Sequence, residues 1–91
     1  MNRVTIEKEV IVPEVFFKNE GQLKSFPRRM EFAGREYTFM DGLRYLVHRG
    51  QRLVQVFDMT DGANDYRLQF DADQRSWTLV DMTTPPPALA A

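Results

Sequence analysis

The residues with chemistry to offer are few: one histidine, two serines, and a larger set of arginines and aspartates, with no cysteine at all. His48 is the sole histidine. It has no second imidazole or thiolate to share a metal with, and no carboxylate lies at a metal-ligand spacing from it. It reads as a surface or capping histidine. Ser25 and Ser76 are the only serines. Neither sits in a Gly-x-Ser-x-Gly elbow, and a catalytic triad would have to recruit His48. The aspartate-rich runs DMTDGANDY and FDADQ lack the alternating ligands, sixth-position glycine and twelfth-position glutamate of a calcium loop. Asp, Asn and Gly in such runs are turn formers. No phosphate-cradling glycine loop is present, because Gly34 and Gly42 stand alone. The expectation is a non-enzyme with no catalytic residues, no metal and no cofactor.

The arginines are the stronger signal. Between Gly21 and Val56, seven cations face three anions, a net charge of +4, whereas Phe57 to Ala91 carries −4 and the whole chain −1. The cations include Arg28, Arg29, Arg35, Arg44, Arg49 and Arg52. Guanidinium forks match carboxylates and phosphates and stack on rings. One reading is a basic face for an anionic partner. The other is mutual neutralisation of the two halves across one small sheet. Interleaving with Tyr37 and Tyr45 resembles the make-up of single-strand nucleic-acid grooves. Against this, the isoelectric point near 5.8 lies below the usual basic range of such domains. Phe16 and Phe17, with Leu23 and Phe26 nearby, put more aromatic surface into segment 13–27 than a loop needs. Phe16 and Phe17 are the candidate protein contact.

The elements that must position these groups are short. The chain has 91 residues, 43% of them hydrophobic and 27% charged, which suits one small globular domain. No apolar run approaches the ~18 residues of a membrane span. The opening MNRVTIEKEVIV is broken by charge, so no secretory h-region is expected and a cytoplasmic location is the default.

Val4, Ile6, Val10 and Val12 alternate with polar residues, which predicts a strand over residues 4–12 ending at Pro13. Asn19 to Gln22 reads as a turn, either of a hairpin or within a loop. A two-residue turn at Ala33-Gly34 would set Met30 opposite Tyr37 and keep Phe32 and Phe39 on the same face, at the cost of Glu31 facing Glu36. A four-residue loop at Asp61-Gly62-Ala63-Asn64 would pair Met59 with Tyr66, Phe57 with Leu68, and Asp58 with Arg67. A loop from Ala72 to Arg75 would pair Phe70 with Trp77 and Leu68 with Leu79. Phe57, Leu68, Phe70, Trp77 and Leu79 are the expected centre of the core.

Segment 41–49 is ambiguous. Leu43, Leu46 and Val47 fall at helical spacing with Asp41 as N-cap and Gly50 at the C-terminal end. Leu43, Tyr45 and Val47 also alternate as a strand. The caps favour a short helix. The tail from Thr83, with Pro85-Pro86-Pro87, predicts disorder over 83–91 after a single domain at 1–82. Its last residues, Ala88 to Ala91, look like a bacterial degradation tag. The fold expected is mainly β: a small, strongly curved antiparallel meander or partly open barrel of SH3-like size, with at most one short helix near 41–49.

Phe32-x-Gly34-Arg35-x-Tyr37-x-Phe39, with Tyr66-x-Leu68-x-Phe70-Asp71 and Trp77-x-Leu79, resembles an uncharacterised small all-β domain family of bacteria, common in actinobacteria. The likeness covers residues 26–82 and implies fold and bacterial origin only. The family carries a tryptophan- and arginine-rich middle segment where this chain has Tyr45, His48 and Arg49, so no binding site transfers across it. What remains is a non-catalytic interaction or structural module. Its partner would be another protein or a second copy, with a nucleic acid as the alternative and no membrane.

Overall fold

The computed structural model describes residues 2–19 and 23–84. Seven strands run β1 (Asn2–Asn19), β2 (Leu23–Phe32), β3 (Arg35–Thr38), β4 (Asp41–Arg49), β5 (Arg52–Thr60), β6 (Asp65–Asp71) and β7 (Ser76–Thr84). They form one antiparallel sheet in the order β3-β2-β1-β7-β6-β5-β4. The sheet curls without closing. At the β3–β4 link the Phe39 N–H donates to the Arg28 carbonyl at 2.7 Å, and the next amide, Met40, donates to the Thr60 carbonyl at 2.8 Å. Neighbouring residues thus tie β2 to β5 at one corner, while β3 and β4 remain the two ends of the sheet. The all-β, curved and partly open architecture is the expected one.

Three hairpins hold the registers that one-sided burial demands. Met30 faces Tyr37, and Glu31 faces Glu36. Met59 faces Tyr66, Phe57 faces Leu68, and Asp58 faces Arg67. Leu68 faces Leu79, and Phe70 faces Trp77. The Glu31–Glu36 opposition is offset by Arg29, whose Nε lies 3.3 Å from Glu36.

The long β1 departs from the sequence reading. It does not end at Pro13: residues 2–10 pair with β7, and residues 11–19 with β2. Pro13 sits at an irregularity between Ile11 and Glu14, where the strand changes partner. There its missing N–H leaves no ladder bond unmade. A bulge between Thr5 and Lys8, with Glu7 at φ 52°, interrupts the alternation. Val10 is buried and Ile6 and Val12 pack against the core, while Val4 remains 58% exposed. The segment after Pro13 is a hairpin arm, with Phe16 opposite Phe26.

Segment 41–49 is strand, not helix. Pairing with β5 sets Tyr45 over Val56 and Val47 over Val54, and both valines are buried. A helix would leave that face of β5 bare. Gly50, at φ 65°, opens the two-residue turn to β5 and does not cap a helix. Gly42 is required sterically: an added Cβ would collide with Met59 Sδ and lie 2.8 Å from the Asp58 carbonyl oxygen.

Inside the curl, Val10, Phe26, Met30, Phe39, Phe57, Met59, Tyr66, Leu68 and Leu79 form the core. Of the expected central five, Phe57, Leu68 and Leu79 are fully inside, and Phe70 and Trp77 pack at its margin. Each fully buried aliphatic side chain contributes roughly 1.5–3 kcal/mol. Thr83 and Thr84 belong to β7, paired with Arg3 and Asn2. The 20–22 part of the predicted turn, the tail from Pro85 and the Ala88–Ala91 motif lie outside the described residues.

Candidate functional site

Two surface features stand out, one crossing from β1 through β7, β6 and β5 to β4 and the other on β4 itself. The first is a charge ladder on the outer face. Antiparallel partners share a face, so one row crosses the sheet as Thr5, Asp81, Arg67, Asp58 and Leu43. Arg67 forks onto Asp58, Nε to Oδ1 at 2.8 Å and an Nη to Oδ2 at 3.2 Å. Tyr45 donates its hydroxyl to Asp58 Oδ2 at 3.1 Å. At the other end Arg3 donates to Asp81, which is the one buried charged residue among those described. Arg3, Leu43, Asp58, Arg67 and Asp81 line part of a shallow cleft of about 470 Å³.

The electrostatics of the ladder are self-contained. The hydrogen bond to Asp58 holds the Arg67 guanidinium even more firmly charged than usual. Burial, with the Asp58 carboxylate second, pushes the Tyr45 hydroxyl above its ordinary value. Both shifts move these groups further from neutral pH, where a proton carrier would have to titrate. A tyrosine in the core shows the same logic. Tyr66 donates to Asp61 at 2.6 Å, and burial together with this bond pushes it up to about 12. Burial opposes the charge of Asp61, but hydrogen bonds from Tyr66, Asn64 and Ala63 outweigh it and hold the carboxyl below its usual range. Among the described residues, no group of three or more His, Cys, Asp or Glu side chains is placed to hold a metal ion. No helix among them is long and apolar enough to cross a membrane.

The second feature is β4 at the end of the sheet. Among the described residues, this nine-residue strand pairs with β5 alone. It exposes apolar side chains on both faces. Leu43 (68% exposed) and Tyr45 lie on the outer face; Leu46 (52%) lies on the inner one, diagonal to Leu53 of β5 (53%). Met40, just before the strand, is 70% exposed. The opposite edge is built otherwise. β3 spans only four residues, and the part of β2 it leaves uncovered includes Pro27. Short edge strands and prolines are how sheets avoid unwanted pairing. β4 has neither device.

The structure distributes the six arginines over both ends of the sheet. Arg28 lies 3.6 Å from Glu14 and 6.0 Å above the Phe16 ring. Arg29 lies between Glu14 and Glu36. Its Nε is buried without a hydrogen bond, since Glu36 is near but poorly aligned. Arg52 pairs with Asp71 and lies 3.5 Å from Asp73. Arg44 bonds the Gln55 side chain at 2.9 Å. Among the described contacts, Arg35 and Arg49 have no carboxylate within 4.0 Å, and Arg49 faces Arg52 beside the β4–β5 turn. Only Arg52 therefore neutralises the later aspartates. Phe16 is half-buried and stacked on Phe26 at 5.7 Å, so it serves the core. Phe17 lies on β1 opposite Ser25, its side chain outside those described.

Sequence reasoning found the Asp58–Arg67 rung but missed Arg3–Asp81 and Tyr45–Asp58. The β4 edge was also missed, because its residues were assigned to a helix. The signal available was the alternation of Leu43, Tyr45 and Val47. Comparison with protein-family models, curated proteins and solved structures gives no match.

Proposed function

We propose that this domain is a non-catalytic polypeptide-binding module that accepts a partner strand along β4. The observation that carries this reading is the combination of length, an edge from Leu43 to Arg49 with no strand beside it among the described residues, and exposed leucines along it. Main-chain bonds supply affinity in strand addition, and alternate side chains supply choice of partner. Arg44, His48 and Arg49 along the same strand favour an acidic or neutral segment. An extended synthetic peptide of alternating valine and glutamate is a direct probe. Added to the isotopically labelled protein, it should shift amide signals of residues 40–49 and leave β2 and β3 unchanged. Shifts spread elsewhere, or none at all, would remove the reading.

A nucleic-acid reading draws on Arg35, Arg44 and Arg49, which have no carboxylate within 4.0 Å among the described contacts. The remaining three are engaged with Glu14, Glu36, Asp71 and Asp73. Titration with a labelled single-stranded oligonucleotide at low and moderate salt separates the two readings, because phosphate contacts weaken steeply with salt.

A further inference from the structure

We infer that the segment accepted by β4 is acidic at three set places and apolar at the other four, and lies antiparallel along residues 43–49. This rests on the strand-addition reading above and names the chemistry of its partner. The two-residue turn makes Arg49 and Arg52 the closing pair of the β4–β5 hairpin, a pair that exchanges both backbone bonds. Counting back by twos, Val47, Tyr45 and Leu43 also aim their backbone groups at β5. Arg44, Leu46 and His48 aim theirs the other way, where no strand lies among the described residues. An antiparallel partner would exchange a pair of bonds with each of these three, in the slightly more stable of the two ladder types.

Charge decides what that partner carries. Residues 43–49 read LRYLVHR, with two arginines, one histidine and no acidic residue. On the inner face Arg44 and His48 flank the exposed Leu46. The Arg44 Nε is engaged by Gln55 at 2.9 Å, and its other nitrogens point to no carboxylate among the described contacts. On the outer face Leu43, Tyr45 and Val47 make an apolar row that ends in Arg49. Asp58, which borders this row, is already held by Arg67 and Tyr45. Like charges opposed across a ladder destabilise it and opposite charges stabilise it. A second copy of this segment would bring base against base, so the fitting partner is of opposite charge. It carries carboxylates opposite Arg49, His48 and Arg44, and apolar side chains opposite Val47, Leu46, Tyr45 and Leu43. Read from the turn end, that order is acidic, acidic, apolar, apolar, apolar, acidic, apolar. A slide by one residue exchanges the partner's two faces. A slide by two, in either direction, sets a carboxylate opposite Leu46. Charge and backbone polarity therefore select one register.

The peptide Glu-Glu-Val-Leu-Val-Glu-Leu, capped at both ends and titrated into the isotopically labelled full chain, tests this. It should bind roughly tenfold or more tightly than the same peptide with lysine for glutamate, and roughly threefold more tightly than the same residues in reverse order. In hydrogen exchange, the Arg44, Leu46 and His48 amides should gain protection only with peptide, and Tyr45 and Val47 should be protected with and without it. Arg49→Glu should weaken binding roughly fivefold, and lysine at the first peptide position should restore it. Arg44→Glu should do the same, with rescue by lysine at the sixth position and not the first. Thermal melts report whether either variant has lost its fold, and should Arg44→Glu unfold, Arg49→Glu carries the test alone. Equal binding of the matched, reversed and lysine peptides, or rescue by lysine at the wrong position, overturns the inference. So does a peptide-free chain that dimerises in sedimentation equilibrium with its Arg44 and Leu46 amides protected, which would put a second copy there. If the alternating valine–glutamate peptide shifts residues 40–49 while the matched peptide shows no preference, strand addition stands and only this order falls. If neither peptide shifts them, both fall.

Discussion

Two nitrogens of Arg3 hold a single oxygen of Asp81, at 2.6 and 3.1 Å, across 78 residues of chain. This bond fastens the first strand to the last, and it does so at the one buried charged residue described. Arg3 itself is mostly exposed, which screens the pair. The larger effect of losing Arg3 is to leave Asp81 under-satisfied. Arg3→Ala should cost about 1 kcal/mol in urea unfolding, and Arg3→Lys should recover part of it.

Gly42 and Gly50 make a contrasting pair. At Gly42 a methyl group would meet Met59 Sδ and a backbone oxygen, whereas at Gly50 it meets nothing within 4 Å but the backbone is left-handed at φ 65°. Gly42→Ala should cost roughly 1–3 kcal/mol through overpacking. Combining it with Met59→Ala should relieve only the side-chain half of the clash. Gly50→Ala should cost about 1 kcal/mol through conformation alone, with no dependence on residue 59. Chemical denaturation of the single and double variants checks both.

Ala33 occupies the left-handed region at φ 53°, beside Gly34 at φ 74°. The two-residue turn between β2 and β3 needs that geometry, and asparagine adopts it more readily than alanine. Ala33→Asn should stabilise the fold by about 0.5–1 kcal/mol, seen as a higher Tm.

The Tyr66–Asp61 bond predicts stability loss at both extremes of pH. Tyr66 is raised from 10 to about 12 in the folded chain. Its contribution is fully present below pH 10 and is lost as pH rises through about 12. Asp61 is lowered, so its contribution is present above the ordinary carboxylate value and is lost as pH falls through the depressed one. In ultraviolet titration Tyr66 should ionise last and close to unfolding. Tyr66→Phe should abolish that alkaline step and reduce the acid dependence.

Asp58 serves Arg67 and Tyr45 together. Asp58→Asn should return the Tyr45 ionisation part of the way toward 10, because burial, the larger cause, remains. It should also destabilise the sheet by roughly 1–2 kcal/mol, since Arg67 loses its charged fork. Spectrophotometric titration and urea unfolding measure the two effects separately.

Much of the sheet was legible in the residues. Met30–Tyr37, Phe57–Leu68 and Phe70–Trp77 follow from period-two burial and short loops, since a one-residue slip would turn every apolar side chain outward. The Asp58–Arg67 rung follows from the same registers. Segment 41–49 was not legible, because its leucines fit a helix and a strand equally well. The deciding contacts belong to β5: Val54 and Val56 require a cover, and Met59 requires a glycine beside it.

The amino-acid sequence by itself determined three of the hairpins, β2–β3, β5–β6 and β6–β7, because turn chemistry and alternation act between neighbours along the chain. Tertiary structure alone decided that β1 changes partner at Pro13, that Arg3 reaches Asp81, and that β4 ends the sheet with its leucines exposed. Those outcomes depend on which distant strands meet after bulges have shifted the alternation. A period of two residues records which face a side chain takes. It holds no record of the neighbour lying across the ladder.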